Sequence, residues 1–293
     1  MKSHCQILII GGAAGIMTAA QLKASRRSLE VAIIEPSASH WHQPAWTLVG
    51  AGSYDFEETR RNEASLIPYG ADWIQNRVTG IFPYHNEVQT TQSGFIPYDY
   101  LIVSPGLQIN SDALPQLKQA LLTESICSNY IDPQKTWDVL HKFKGGNALF
   151  TLPSTPIKCG GAPQKIMYLA DDHFRKSGVR GNTNVIFATP GTVIFGTKKF
   201  ANTLTKVIKR KDIITRFFYA PASIDPLKRK SGSDTPALRN GKASRPSTKR
   251  WVWISWLPCL MICCTWRRRN QPRILSGNRY SLSRMGPIRV GWM

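Results

Sequence analysis

A glycine-rich turn between an apolar strand and a helix constrains the fold of this chain more than any other stretch. Cys5–Ile10 has the composition of a buried parallel strand, and the helix after the turn is predicted to reach Lys23. A second apolar strand, Val31–Ile34, ends at Glu35. The turn consists of five small residues: Gly11, Gly12, Ala13, Ala14 and Gly15. Strand, turn, helix, strand and acid in this register predict a βαβ unit that binds a dinucleotide.

Each part of this unit has a chemical reason. Glycines let the backbone approach a pyrophosphate at the helix N-terminus, and Glu35 is spaced to accept hydrogen bonds from ribose hydroxyls. The glycine run is one residue shorter than the usual pattern, because Ile10 stands where the first glycine would fall. Two outcomes stay open: the strand end shifts to compensate, or pyrophosphate binding is weaker.

Further strands and helices alternate up to about residue 219. We predict a hairpin at 88–91 and 95–98, a strand at 100–103, and a helix capped by Asp132 and Pro133. Strands at 147–152, 184–188 and 213–219 and a helix at 198–210 then predict a second parallel sheet. The fold class is therefore α/β with two dinucleotide-binding, Rossmann-like domains, the second inserted in the first, and an irregular C-terminal part. The predicted limits are 1–146 for the first domain, 147–220 for an incomplete second domain, and 221–293 for a basic tail expected to be disordered.

One cysteine stands out in the second domain. A Pro-rich turn delivers Cys159, and two glycines separate it from a helix that directs Ile166, Met167, Leu169 and Ala170 inward. A thiol just before a helix N-terminus and beside Lys158 lies where the helix dipole and a cation favour the thiolate. The other interpretation is a buried inert cysteine. Spacing alone leaves both open.

Residues 155–169, Thr-Pro-Ile-Lys-Cys-Gly-Gly-Ala-Pro-Gln-Lys-Ile-Met-Tyr-Leu, resemble the active-site cysteine segment of sulfide:quinone oxidoreductases, in the branch that includes the mitochondrial enzyme. The resemblance implies FAD in the first domain and two-electron oxidation of sulfide, with electrons passing through FAD to a membrane quinone. It implies that Cys159 keeps the sulfane sulfur as a persulfide. Three further positions follow from it: Gln43 near the adenine-ribose half of the flavin, the backbone of Val78 at the adenine, and Gly106 in a turn beside the cofactor. We predict Cys127, near which some relatives have an accessory cysteine, to be structural.

The charge is uneven along the chain. Of 38 basic and 18 acidic residues, 15 and one fall after residue 227, which leaves 23 and 17 before it. The net charge of +20 therefore describes an ordinary globular body with a basic tail, and we predict no nucleic-acid partner. From about 228 the sequence shows no helical or strand periodicity. The second redox cysteine, Gly-Asp motif and amphipathic helices of the resembled family do not appear there, and we infer a change of reading frame between about 220 and 228. A genuine divergent tail is the competing interpretation.

The remaining features narrow the class of protein. The six cysteines lack zinc or disulfide-framework spacing, and His40 and His42 have no third ligand in sight, so we predict no metal. The absence of a leader predicts a cytoplasmic protein, peripheral on the inner face of the cell membrane. The partners expected are sulfide and a membrane quinone. Two alternatives remain: an NAD(P)H:quinone reductase of the same architecture, and a non-functional remnant.

Overall fold

The computed structural model describes residues 4–152, 159–222 and 224, and the backbone of strands at 251–255, 266–268 and 288–289. The helices are α1 (Ala13–Ser25), α2 (Trp46–Val49), α3 (Leu117–Ala120), α4 (Pro133–Lys142), α5 (Ala162–Lys176) and α6 (Lys198–Arg210). The strands are β1 (Cys5–Ile10), β2 (Val31–Ile34), β3 (Ser39–Trp41), β4 (Arg60–Asn62), β5 (Ala71–Ile74), β6 (Val78–Phe82), β7 (Glu87–Thr90), β8 (Gly94–Val103), β9 (Ile126–Ser128), β10 (Gly146–Thr151), β11 (Thr183–Thr189), β12 (Ile214–Phe217), β13 (Tyr219–Pro221), β14 (Trp251–Ser255), β15 (Trp266–Arg268) and β16 (Ile288–Arg289). Short 3-10 helices lie at Gln43–Ala45, Glu57–Thr59, Glu63–Leu66, Ser111–Ala113 and Arg180–Asn182.

The chain divides into two compact units. Unit 1 comprises Met1–His42, Arg60–Leu107 and Ile274–Met293, and unit 2 comprises Gln43–Thr59 and Gln108–Arg273. In the structure, residues 108–146 belong to unit 2, whereas the sequence analysis places them in the first domain. The assignment of a cofactor domain to 1–146 and of a second domain to 147–220 stays a prediction.

Unit 1 is built on a seven-stranded sheet with the order β16-β6-β7-β8-β1-β2-β5. Strands β8, β1, β2 and β5 are parallel, as the βαβ pattern predicts. One face of β1 and β2 packs around Ile9, Ala19 and Ile33, and the other around Leu8 and Ile34. The βαβ unit is therefore buried on both faces, which explains its continuous run of apolar residues.

Strand β8 combines two predicted strands in one. Its first half pairs antiparallel with β7, and its second half pairs parallel with β1. The sequence analysis predicts these halves as separate strands, at 95–98 and 100–103, with Asp99 between them. A ten-residue strand that serves two neighbours in turn brings the hairpin into the same sheet as the βαβ unit.

Unit 2 contains a five-stranded parallel sheet with the order β12-β11-β10-β14-β9. Phe150, Phe174 and Phe187 are fully buried in its core with Met167 of α5. Helix α5 contributes Ile166, Met167 and Ala170 to the interior as predicted, while Leu169 is half-buried. The sheet and α5 together fix where the segment of Cys159 enters the helix.

The prediction of no strand after residue 228 is wrong at three places. Strand β14 lies between β10 and β9, β15 pairs with β13, and β16 pairs with β6. The physical reason is visible for β14, whose sequence Trp-Val-Trp-Ile-Ser consists largely of aromatic and β-branched residues that suit a pleated sheet. Among the residues described, no helix is long and apolar enough to cross a bilayer.

Candidate dinucleotide site and reactive cysteine

The glycine turn after β1 is formed where the strand ends at Ile10. Ile10 pairs with Ile34 on one side and Val103 on the other, and the left-handed backbone angle falls on Gly11, with φ +105°. A Cβ atom at Gly11 would lie 2.0 Å from the carbonyl oxygen of Ser104. Only glycine therefore fits at Gly11. The strand continues through Ile10, where the usual pattern has its first glycine, and the tight turn falls one residue later, on Gly11.

The carboxylate of Glu35 is held beside this turn. Its Oε2 accepts a hydrogen bond from the Gly12 amide at 2.8 Å, and its Oε1 accepts one from the Ser37 amide at 2.8 Å. The backbone oxygen of Glu35 accepts a third bond, from Trp73 Nε1. The acid at the end of β2 is thus oriented toward the N-terminus of α1, as the spacing predicts.

A second turn borders the first. The amide and the hydroxyl of Ser104 both donate to the Ile10 carbonyl oxygen, at 2.8 and 2.9 Å. The turn continues to Gly106, which has a φ of +79°. Strand β8 therefore brings the turn at 104–106 to the glycine turn.

These residues fit a dinucleotide. Ala13 and Ala14 are exposed at the start of α1, where the first helical amides have no partner within the helix and favour an anion. Gly15 is buried, and a Cβ atom there would lie 3.0 Å from Ile9 Cγ2, so glycine permits the close helix–strand approach. The chain can hold a pyrophosphate at the start of α1 and a ribose at Glu35.

A second carboxylate lies at the same place and is not found by the sequence analysis. Glu63 is 1% exposed, and its Oε2 lies 3.1 Å from His40 Nδ1. A Cβ atom at Gly12 would be 2.5 Å from Glu63 Oε1 and 3.0 Å from Glu35 Cγ. No sequence motif signals Glu63, because its position depends on the pairing of β3 with β4.

The two remaining predicted cofactor positions belong to different units of the chain. Val78 begins β6 in unit 1, where it is 6% exposed in the core with Leu8 and Ile10. Gln43 is half-buried at the start of a 3-10 helix in unit 2. Both roles toward a flavin stay predictions.

Cys159 lies immediately before α5. Its carbonyl oxygen accepts a bond from the Ala162 amide at 3.0 Å, and its side chain is half-buried. The ammonium nitrogen of Lys165, one turn into the helix, lies 3.9 Å from Cys159 Sγ. The predicted neighbour Lys158 falls outside the described residues, so Lys165 is the cation that the structure places at this thiol.

The other two cysteines of the described part are buried. Burial raises the pKa of the Cys127 thiol to about 12, despite an opposing hydrogen bond with Thr136. Cys127 also lies in β9, the last strand of the unit 2 sheet. A fully buried thiol that resists ionisation is a poor nucleophile, which supports a structural role for Cys127.

Among known proteins, no family model matches the chain, but several curated proteins and solved structures are similar to it. The mitochondrial sulfide:quinone oxidoreductase of Mus musculus is 42% identical over 233 residues, which cover 78% of this chain and 52% of that protein. The enzyme of the same name from Dictyostelium discoideum is 37% identical over 241 residues, covering 80% of this chain and 53% of that protein. The crystal structure of the sulfide:quinone oxidoreductase from Aquifex aeolicus has a TM-score of 0.67 at 20% identity, over 86% of this chain and 58% of that one.

The fold and the Gly-Glu arrangement define an α/β protein of the dinucleotide-binding class. Over about four-fifths of its length the chain is homologous to the sulfide:quinone oxidoreductases. The chain spans about half the length of the curated relatives that it matches.

Proposed function

We propose that this chain is a sulfide:quinone oxidoreductase-type flavoprotein that oxidises sulfide through a persulfide on Cys159. The observation that carries the proposal is the accessible thiol at the start of α5, with Lys165 Nζ at 3.9 Å, in a chain homologous to enzymes of that name. The alternative, an NAD(P)H:quinone reductase, is not favoured, because the homologues over 30% identical are named for sulfide.

The proposed cofactor is FAD, held by unit 1. The exposed start of α1 would take the pyrophosphate, Glu35 the adenosine ribose, and the turn at 104–106 the neighbouring part of the cofactor. When bound, FAD supplies the two-electron acceptor that turning a thiolate and hydrosulfide into a persulfide and a proton requires. Val78, in unit 1, is a proposed contact of the same cofactor, and the role of Gln43 stays a prediction of the resemblance.

The residues around Cys159 suit a sulfur anion. The thiolate is the nucleophilic form of cysteine, and a persulfide is likewise an anion at neutral pH. The Lys165 ammonium and the N-terminus of α5 attract that negative charge before and after sulfur is added. Among the described residues Cys159 is the one cysteine that is not buried, so it is the thiol best placed there to meet hydrosulfide.

Two parts of the proposal depend on homology alone: the quinone as final acceptor and peripheral attachment to a membrane. The cytoplasmic face of that membrane stays a prediction of the sequence analysis, and the relatives over 30% identical, which are named mitochondrial, do not support it. Cell fractionation of the tagged chain, with and without a salt wash, tests the attachment: recovery in the membrane fraction with release by salt supports it, and recovery of all the protein in the soluble fraction contradicts it.

An anaerobic spectrum tests the reaction itself. The FAD-loaded full chain is mixed with sulfide in one cell and NADH in another, and the flavin absorbance is followed before and after a short-chain quinone is added. We expect bleaching by sulfide and not by NADH, and recovery of the absorbance on adding quinone. Bleaching by NADH alone would establish the alternative reductase.

A further inference from the structure

Glu63 has one carboxylate oxygen without a partner. Its side chain is 2% exposed, and while Oε2 meets His40 Nδ1 at 3.1 Å, Oε1 has no hydrogen-bond partner in the structure as described. The unpartnered oxygen points to Gly12, since a Cβ atom built there would come within 2.5 Å of it. A buried polar atom without a bond is costly, so its persistence indicates a ligand that completes it.

The backbone holds Glu63 in this position. Strands β3 and β4 pair Ser39 with Asn62, and the Glu63 amide donates to the Ala38 carbonyl oxygen at 3.0 Å. The Asn62 side chain caps the 3-10 helix that Glu63 begins. Main-chain contacts therefore fix the backbone of Glu63 beside the glycine turn, and the contact with His40 Nδ1 orients its carboxylate.

Two carboxyl groups consequently border Gly12. Glu35 Oε2 accepts a hydrogen bond from the Gly12 amide, and Glu63 Oε1 lies beside the same residue. Burial raises the pKa of Glu63, with His40 opposing and Glu35 reinforcing the shift. Among the described residues no group of three or more His, Cys, Asp or Glu is arranged to hold a metal ion.

We propose that Glu63 is a second acceptor for the hydroxyls of the ligand's adenosine ribose, and that with Glu35 it restricts the site to a ribose without a 2′-phosphate. A ribose offers two adjacent hydroxyl donors, which match two neighbouring carboxyl groups. A phosphate in place of one hydroxyl would bring two negative charges against them and remove a donor. This inference rests on the proposed dinucleotide function of unit 1, and it names a residue and a selectivity that the glycine motif does not.

The test uses the full chain freed of flavin, with ADP-ribose, 2′-phospho-ADP-ribose and FAD as probes in titration calorimetry. The wild-type chain should bind ADP-ribose at least about a hundredfold more tightly than its 2′-phosphorylated form. Glu63→Gln should weaken ADP-ribose and FAD about tenfold and narrow the discrimination by a similar factor. This isosteric variant keeps an oxygen that can face His40 Nδ1, and Glu63 Oε1 has no bond to lose in the ligand-free protein, so the melting temperature should stay close to that of wild type.

The matched control is Glu87→Gln, which removes one carboxylate from the hairpin strand β7 and should change neither affinity nor discrimination. Unchanged binding and unchanged discrimination in Glu63→Gln would overturn the inference, and so would a wild-type chain that binds both ADP-riboses equally. The proposed function fails separately: a chain that shows the Glu63-dependent ribose selectivity but no bleaching by sulfide supports this inference and refutes the reaction.

Discussion

At the scale of single residues, Asp171 shows how unit 2 tolerates a buried charge. Its side chain is fully buried and receives Arg180 Nε at 2.6 Å, Lys211 Nζ at 2.7 Å and Arg175 Nε at 3.0 Å. Arg180 also donates to the carbonyl oxygens of Lys211 and Asp212. One carboxylate therefore ties α5 to the 3-10 helix after it and to the end of α6.

Replacing this carboxylate should destabilise the fold strongly. Asp171→Asn leaves three cations without their shared anion, and we expect a loss of about 3–5 kcal/mol in the free energy of unfolding. Asp172→Asn is the neighbouring control, because Asp172 is exposed and pairs only with Lys176 in the described contacts. The Asp172→Asn variant should lose less than about 1 kcal/mol in its free energy of unfolding. Urea unfolding followed by circular dichroism measures both, and similar losses in the two variants would contradict the role of Asp171.

The same residue predicts a pH dependence. Burial favours a higher pKa for Asp171, but the hydrogen bonds from Arg175, Lys211 and Arg180 outweigh it and the pKa is lowered. A carboxyl group with a lower pKa in the folded than in the unfolded state stabilises fully above the unfolded value and loses this contribution as the pH falls through the folded one. The difference in stability between wild type and Asp171→Asn should therefore be constant above about pH 5 and shrink below about pH 4. A difference that grows on acidification would show the sign to be wrong.

At the scale of elements, the junction of β1 and α1 depends on one backbone conformation. Gly11→Ala places a Cβ atom 2.0 Å from a backbone oxygen at a positive φ, and neither group can move without breaking the β1–β8 pairing. Gly94→Ala has a similar positive φ, +67°, with nothing within 4 Å of the new atom. We expect Gly94→Ala to cost about 1 kcal/mol and Gly11→Ala to lower the melting temperature far more and abolish flavin retention. Equal melting temperatures for the two variants would refute the close approach at Gly11.

Elements with a local signal are those that the sequence predicts well. Strands β1 and β2 and helix α6 have the predicted bounds, and Asp132 caps α4 by accepting the Lys135 amide. The turn residues Gly11, Gly12 and Glu35 are likewise brought together as their spacing predicts. Local periodicity and capping decide all of these, because each depends on residues close in sequence.

Features that depend on distant pairing escape sequence reasoning. Glu63 reaches Gly12 only because β4 pairs with β3. Strand β14 is missed because its two neighbours in the sheet, β10 and β9, lie far away in the sequence. Sequence spacing does not encode any of these contacts.

At the scale of the whole molecule, the body and the tail differ in character. About a fifth of the chain lies outside its match to the curated relatives, and the net charge after residue 227 is +14, from 15 basic residues and one acid. In unit 1, large apolar side chains near the end of β8 are exposed, with Tyr100 67% and Val103 51% accessible. Exposed apolar side chains of this size favour self-association.

We therefore expect the purified 293-residue chain to be poorly soluble and to retain little flavin. Size-exclusion chromatography with detection at the flavin absorbance measures both properties. Elution mainly as aggregate with a low flavin-to-protein ratio is the predicted result, and Tyr100→Thr with Val103→Thr should raise the soluble fraction. A monomeric yellow wild-type protein at high concentration would contradict this.

The central claim is that Cys159 is the residue that takes up sulfur from sulfide, and mass spectrometry of the sulfide-treated chain tests it most directly. The FAD-loaded full chain is treated anaerobically with sulfide, its thiols are alkylated, and the protein is digested. The mass of each cysteine-containing peptide is then measured. Wild type and Cys127→Ser should both show one added sulfur atom on the Cys159 peptide, and Cys159→Ser should lose sulfide-dependent flavin bleaching. An unmodified Cys159 in a chain whose flavin is bleached by sulfide would contradict the account.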